Sequence, residues 1–315
     1  MNFMNFEPGS GTVRQRTLKN AIPCRGVALH SGLDCAMTIK PAGPDHGIVF
    51  KRTDVTDKDS LVPARWDRVS STTLCTTISN DDGVQVATIE HLMAAFAGCG
   101  LDNALVEIDG PEVPVMDGSS APFVMLIECA GSVEQEAPRR ALKILKPVTV
   151  GDGDCKVTVL PADDFSVDFE IDFASEAVSE TSLDIRLVNG TFNESISRAR
   201  TFGFLEDIDR LRAAGLALGG SLDNAVVVDG DRVLNEGGLR FDDEFVRHKI
   251  LDCVGDLYLA GGPMLARVVA HKSGHAFNNK LLRAVFADDS TWEWTTLDAS
   301  DVAGWHEREP LGATA

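Results

Sequence analysis

The sequence predicts an α+β protein of two similar domains, each a β-sheet packed with helices as a two-layer sandwich. Three observations carry that expectation. The chain has 315 residues, too many for one ordinary core and suited to two domains of roughly 130 to 160 residues each. It contains a weak internal repeat, which indicates where an interface between equivalent units should lie. Each copy mixes alternating strands with a helix that carries a histidine in its first turns, which argues against a doubly wound parallel sheet.

The repeat is clearest in its strands. Residues Cys35–Ala42 (CAMTIKPA) and Cys155–Ala162 (CKVTVLPA) alternate as half-buried strands do, stop at Pro-Ala, and lead through a polar turn into a second strand. That second strand is Ile48–Arg52 in one copy and Val167–Phe173 in the other. Thr73–Ser79 and Val84–Ala87 flank Asn80-Asp-Asp-Gly83, where Asp-Gly supplies the positive-φ positions of a hairpin turn. Thr88 is placed to cap the helix Ile89–Ala97, and strand Asn103–Ile108 follows. Gly98-Cys-Gly100 comes after a helix rather than a strand, so it reads as a helix end and not as a dinucleotide loop. Asp117–Phe123 reads as a turn and helix start capped by Ser119 or Ser120.

The polar stretch Gly131–Arg139 has no apolar period and marks the boundary. It gives a first domain over 12–132, a linker over 133–139, a second domain over 140–308, and flexible termini over 1–11 and 309–315. The second copy carries an extra segment, Thr201–Asp229, in which Leu205, Ile208 and Leu211 form an apolar helical face ahead of Gly215 and Gly219-Gly220. Helix Asp243–Leu259 and strand Met264–Ala270 complete that copy.

Composition narrows the partners. A formal charge of -19 with no Lys/Arg run repels phosphate backbones and anionic headgroups, so no nucleic-acid or membrane role is expected, and an anionic substrate must be held by a few placed basic residues. No stretch approaches the roughly 18 to 20 apolar residues of a membrane span, and the first residues lack an apolar core of signal-peptide length. The seven cysteines are odd in number, scattered and free of any C-x-x-C pair, which fits reduced thiols in a cytoplasmic protein, expected as a monomer.

Two helices carry candidate chemistry. In Thr88–Phe96, Ile89, Leu92, Met93 and Phe96 form the apolar stripe, while Glu90 and His91 fall off it beside Ala94 and Ala95, whose small size lets another element approach. In Phe245–Tyr258 the face opposite the apolar stripe holds His248, Asp252 and Asp256, each one turn apart. A histidine and an aspartate at i, i+4 can reach one metal ion, with Asp256 orienting a ligand from behind. Cys253 lies about 100° from Asp252 on the helical wheel and is no co-ligand. A catalytic zinc commonly takes three protein ligands and keeps a position for water, so His91, His248 and Asp252 make an open Zn2+ site with Glu90 left as general base. The ligands then come from equivalent helices of the two copies, which places the active site between the domains. In the loop Ala270–Asn279, His275 is placed as acid and oxyanion stabiliser. Taken singly, these features read as a polar helix face, a solvated ion pair and a capping histidine.

Together these residues resemble the bacterial UDP-3-O-acyl-N-acetylglucosamine deacetylase family, the zinc amidases of lipid A biosynthesis. The likeness runs from Gly26–Gly32 (GVALHSG) through Ile89–Ala95 (IEHLMAA), Val113–Gly118 (VPVMDG), Arg198–Gly203 (RARTFG), Leu218–Ser221 (LGGS) and Val246–Lys249 (VRHK) to Lys272–His275 (KSGH). It implies two α+β domains with the active site between them, zinc on His91, His248 and Asp252, Glu90 as base, His275 as acid, and Thr201 at the oxyanion. It also implies nucleotide diphosphate contacts at Lys249 and Lys272, an acyl-chain passage along Phe202 and the segment 205–217, and further substrate contacts at Leu74, Cys75, His30, Gly220 and Asp256. The implied reaction is hydrolysis of the acetamide of UDP-3-O-acyl-N-acetylglucosamine to UDP-3-O-acyl-glucosamine and acetate. The alternatives are a non-catalytic sugar-nucleotide or RNA-binding two-repeat module and a zinc peptidase, whose usual helix motif H-E-x-x-H is absent.

Overall fold

The computed structural model describes residues 11–302 apart from positions 189 and 300. The termini expected to be flexible, except for Gly11, and residues 303–308 of the second domain lie outside the described residues.

Alternation in the sequence becomes two sheets with one plan. The first runs in the order Ile22–Val27, Asp34–Pro41, Ala104–Ile108, Ile48–Arg52 and Leu61–Pro63. All neighbours are antiparallel except Ile48–Arg52, which runs parallel to Ala104–Ile108. The second copy repeats this order and these directions with Val148–Asp152, Cys155–Pro161, Met264–His271, Phe165–Glu170 and Ser182–Arg186. Its sheet is extended by Arg140–Ile144, which meets the first two residues of Met264–His271, and by Trp292–Thr296. The buried members of the alternating runs, Cys35, Met37 and Ile39 in one copy and Val157 and Val159 in the other, lie on the core side of their sheets.

Helices α1 (Glu90–Gly98) and α2 (Ala121–Ala130) belong to the first copy; α3 (Leu205–Ala213), α4 (Glu244–Tyr258) and α5 (His275–Phe286) belong to the second. In chain order α1 and α4 precede the central strands of their sheets, and α2 and α5 follow them. The two equivalent helices α1 and α4 pack along each other. They come close at Gly255, where a Cβ would stand 2.0 Å from the Glu90 carbonyl oxygen, so only glycine fits. One continuous apolar core therefore joins both copies, with Phe50 and Phe96 from the first and Phe169 and Phe245 from the second fully buried. Each such ring contributes about 1.5–3 kcal/mol relative to exposure. Because α4 is buried everywhere except at Arg247 and Lys249, the polar face read from the helical wheel points into protein rather than solvent.

Several local expectations are corrected. Residues 133–139, read as an unpatterned linker, lie largely in a strand, Ser132–Pro138, paired antiparallel with Arg14–Leu18. This ribbon has no apolar period because backbone bonds and amides hold it: Gln135 donates to the Ala42 carbonyl and accepts from Asn103. Thr88 does not cap α1; its φ is +56° and its hydroxyl donates to Glu112. The Ser120 hydroxyl is spent on the His91 carbonyl, leaving Ser119 Oγ to accept from the Ala121 N–H at 3.3 Å. His275 opens α5 rather than lying in a loop. The hairpin forms at the expected turn, with Ile78 opposite Val86, but its strands are only Thr77–Ser79 and Gln85–Val86, and Gly100 leaves α1 with φ +65°. The apolar face of α3 is only partly covered, and none of its residues is buried.

Candidate active site

Three helices converge on one buried centre. The first turn of α1 supplies Glu90 and His91, the second and third turns of α4 supply His248 and Asp252, and the start of α5 supplies His275. One ligand atom from each of His91, His248 and Asp252 lies within 4.8 Å of the others, and all three residues are buried. Asp252 Oδ1 stands 3.6 Å from His91 Nε2 and 3.4 Å from His248 Nε2. The imidazole rings meet edge to face at 5.0 Å. His248 Nδ1 is 3.1 Å from the Ala199 carbonyl, which makes Nδ1 the protonated nitrogen and leaves the Nε2 lone pair aimed at the cluster. His91 Nδ1 is buried without a hydrogen-bond partner among the described residues.

The charges suit a cation. Burial, helped by the neighbouring His248, pushes His91 down to about 3, and burial lowers His248 too, so both rings are neutral donors at physiological pH. Burial works against the Asp252 carboxylate, but Lys249, His248 and His275 outweigh it and hold its pKa well below the usual range. Lys249 Nζ donates to Asp252 Oδ2 at 2.8 Å. Two neutral imidazoles and one ionised carboxylate are a fitting donor set for a divalent metal.

Glu90 and His275 face the same point. His275 Nε2 lies 3.8 Å from Glu90 Oε1 and 3.9 Å from Asp252 Oδ2. Burial, reinforced by Asp256 and Asp252, pushes the Glu90 carboxyl up to about 8 against the opposing charge of His275. Burial disfavours charge on His275, yet Asp256, Glu90 and Asp252 together raise it to about 9. Asp256 is the anchor: its Oδ2 meets His275 Nδ1 at 2.8 Å and accepts from Asn278 at 2.9 Å, while Oδ1 accepts from the Thr76 hydroxyl at 2.5 Å. Both of its oxygens are occupied by protein, so it holds the His275 ring from behind.

The centre opens into a cavity of about 400 Å³ whose walls include Leu74, Thr201, Phe202, Lys249 and Phe277. The Phe202 ring lies 6.2 Å from that of His248. Leu74 is half-exposed and holds a positive φ of +61°. Five of the expected contact residues do not line this cavity: Lys272 pairs with Asp172 at 2.6 Å, Cys75 is buried beside Thr77, Gly220 packs near Leu29, Asp256 is held by Thr76, His275 and Asn278, and His30 is half-buried with Nε2 unpartnered among the described residues. Sequence reasoning missed Thr76, whose N–H also donates to Glu90 Oε2 at 3.0 Å, together with Asn278, Gly255 and the Ala199 carbonyl. Only Gly255, a glycine inside a strongly periodic helix, left a readable sign.

Over residues 15–287 the chain matches the family described as UDP-3-O-acyl N-acetylglycosamine deacetylase. It is 50% identical over 299 residues to the UDP-3-O-acyl-N-acetylglucosamine deacetylase of Idiomarina loihiensis, which covers 93% of this chain and 97% of that one. The enzyme of the same name from Vibrio parahaemolyticus is 50% identical over 288 residues, covering 91% and 94%. That of Vibrio cholerae is 49% identical over 290 residues, covering 91% and 94%.

Proposed function

The chain belongs to the UDP-3-O-acyl N-acetylglycosamine deacetylase family, and from that premise we propose that its buried centre is a zinc site hydrolysing the acetamide of UDP-3-O-acyl-N-acetylglucosamine in lipid A biosynthesis. The observation that carries this reading is the meeting of His91, His248 and Asp252 with Glu90 and His275 at one end of a cavity. Zinc held by the three ligands would polarise the acetamide carbonyl and lower the pKa of water there, and its charge would favour the ionised form of Glu90. Glu90 takes the proton of the attacking water. The Thr201 hydroxyl donates to the oxygen that gains negative charge. His275, kept charged by Asp256, gives its proton to the departing amine nitrogen, releasing acetate and the free amine.

Substrate contacts follow from the cavity. Lys249 stands within it, and Lys272 would exchange the exposed Asp172 carboxylate for a phosphate, which suits a chain of charge -19 that needs a few placed cations. Phe202 and the half-exposed face of α3 offer apolar surface to an acyl chain. His30, Cys75, Leu74 and Gly220 stay proposed contacts, while Asp256 is better assigned to His275. We take 12–132 and 140–308 as the units that clasp the centre, working as a monomer in the cytoplasm. The seven cysteines are unpaired, and no helix among the described residues is long and apolar enough to cross a membrane.

Deacetylation of the acylated UDP-sugar, with and without a chelator, tests the reading. Turnover that stops with the chelator and returns with zinc supports it. Because iron(II) also accepts two histidines and a carboxylate, the apoprotein is reloaded with each metal separately. A metal-free, folded protein that binds the sugar nucleotide without turnover would favour the non-catalytic module.

A further inference from the structure

We propose that Glu244, together with Arg200, is a positioning residue for the metal centre, acting through the peptide that joins Ala199 to Arg200. This rests on the metal reading of His91, His248 and Asp252. Glu244 is fully buried and lies one turn before His248 on α4. Its Oε1 accepts from the Arg200 backbone N–H at 3.0 Å and from Arg200 Nε at 2.8 Å. Its Oε2 accepts from Arg200 Nη2 at 3.0 Å and from the Arg240 N–H at 2.6 Å. Arg200 Nη2 also donates to the Gly238 carbonyl at 2.9 Å, so the fork is held at both ends.

The same peptide unit has a second face. Its carbonyl, on Ala199, is the group that meets His248 Nδ1. A peptide is planar, so gripping its N–H also fixes the direction of its C=O. Helix α4 therefore holds one peptide plane at two points a turn apart, Glu244 on the N–H side and His248 on the C=O side. The held carbonyl keeps the proton of His248 on Nδ1 and turns Nε2 toward Asp252. The next residue is Thr201, whose N–H donates to the Gly118 carbonyl at 2.8 Å, so its backbone is held on both sides. A buried ion pair is a weak source of stability, because desolvation offsets the attraction, whereas a fixed carbonyl behind a ligand histidine has a direct consequence for metal affinity.

The test uses the full chain and three variants. Zinc affinity is read by chelator competition, and the His248 tautomer is read in the apoprotein from its imidazole nitrogen chemical shifts. Glu244→Gln is expected to weaken zinc about 10- to 100-fold, the usual effect of losing the group behind a ligand histidine, and to mix the His248 tautomers. Arg200→Lys keeps the backbone N–H bond but loses the fork, so it should shift both readouts the same way by less. Asp243→Asn cuts the neighbouring Arg247 pair at the same helix start and should leave both at wild type. Wild-type affinity and tautomer in Glu244→Gln, or an equal loss in Asp243→Asn, overturns the proposal. If Glu244→Gln does not fold, unchanged readouts in Arg200→Lys overturn it. A wild-type protein that takes up no metal defeats the metal reading instead, and the tautomer still tests the positioning.

Discussion

Replacing Gly255 with alanine would place a methyl carbon 2.0 Å from the Glu90 carbonyl oxygen, 2.8 Å from its carbonyl carbon and 3.1 Å from the Ala94 nitrogen. All three are backbone atoms of α1, so no side chain can swing aside. Restoring an ordinary contact of 3.4 Å at the shortest of them requires α1 and α4 to part by about 1.4 Å. His91 rides on α1 while His248 and Asp252 ride on α4, so that movement separates the ligands. Metal–ligand distances tolerate only about 0.2 Å of error, several times less than this displacement. Folding is affected far less. Overpacking costs about 1–3 kcal/mol, and alanine returns about 1 kcal/mol of helix propensity over glycine, so a loss of roughly 0–2 kcal/mol remains. At about 2–4 °C per kcal/mol, Tm should fall by a few degrees while zinc affinity drops at least about 100-fold. Calorimetry and chelator competition on the same preparation measure both. A Gly255→Ala protein with wild-type zinc affinity would refute the claim that this close approach sets the ligand spacing.

Other perturbations separate the roles within the centre. Glu90→Gln retains an acceptor for the Thr76 N–H but cannot take a proton, so it should keep its zinc and lose about 10²–10⁴-fold in kcat; undiminished turnover removes Glu90 from the mechanism. His275→Ala should likewise bind zinc normally and fail in chemistry, and loss of metal from this variant would reassign His275 as a ligand. The sign of the Asp256 effect is fixed by its charge: it helps raise His275 to about 9, so Asp256→Asn lowers that pKa. The alkaline limb of the kcat profile, where the acid loses its proton, should then move to lower pH, and an unmoved limb would exclude His275 as the acid. Zinc at 100 times its Kd should stabilise the fold by about 2.7 kcal/mol, visible as a Tm that rises with zinc concentration. A Tm independent of zinc would mean that the folded state holds no specific site.

The strands were legible because half-buried strands advertise themselves by alternation, and the shared strand order follows from two similar runs such as Cys35–Ala42 and Cys155–Ala162. The residues of the centre were legible in part, since Glu90, His91, His248 and Asp252 fall off the apolar stripes of their helices. Their partners were not. Thr76 reaches Asp256 across 180 positions of chain, and no local pattern encodes such a pairing. The Ala199 carbonyl is a backbone group, identical in every residue type. Thr88 has the composition of a cap, but Glu112 competes for its hydroxyl and the backbone turns to positive φ instead. The strand Ser132–Pro138 is held by hydrogen bonds rather than apolar burial, so periodicity had nothing to report.

A buried helix with a polar stripe is unstable unless every group on it is answered, and α4 meets that condition position by position. Glu244 is answered by Arg200, His248 by the Ala199 carbonyl, Asp252 by Lys249, and Asp256 by Thr76, His275 and Asn278. These pairings do more than cancel a burial penalty. One fixes a ligand tautomer, one favours an ionised ligand, and one keeps the proposed acid charged. The two copies supply two equivalent helices, and Gly255 lets them approach; the stripe on only one of them sets the protonation states that the proposed chemistry needs. The centre is thus asymmetric within a symmetric frame, with α1 contributing the proposed base and one proposed ligand from its first turn while α4 prepares the rest.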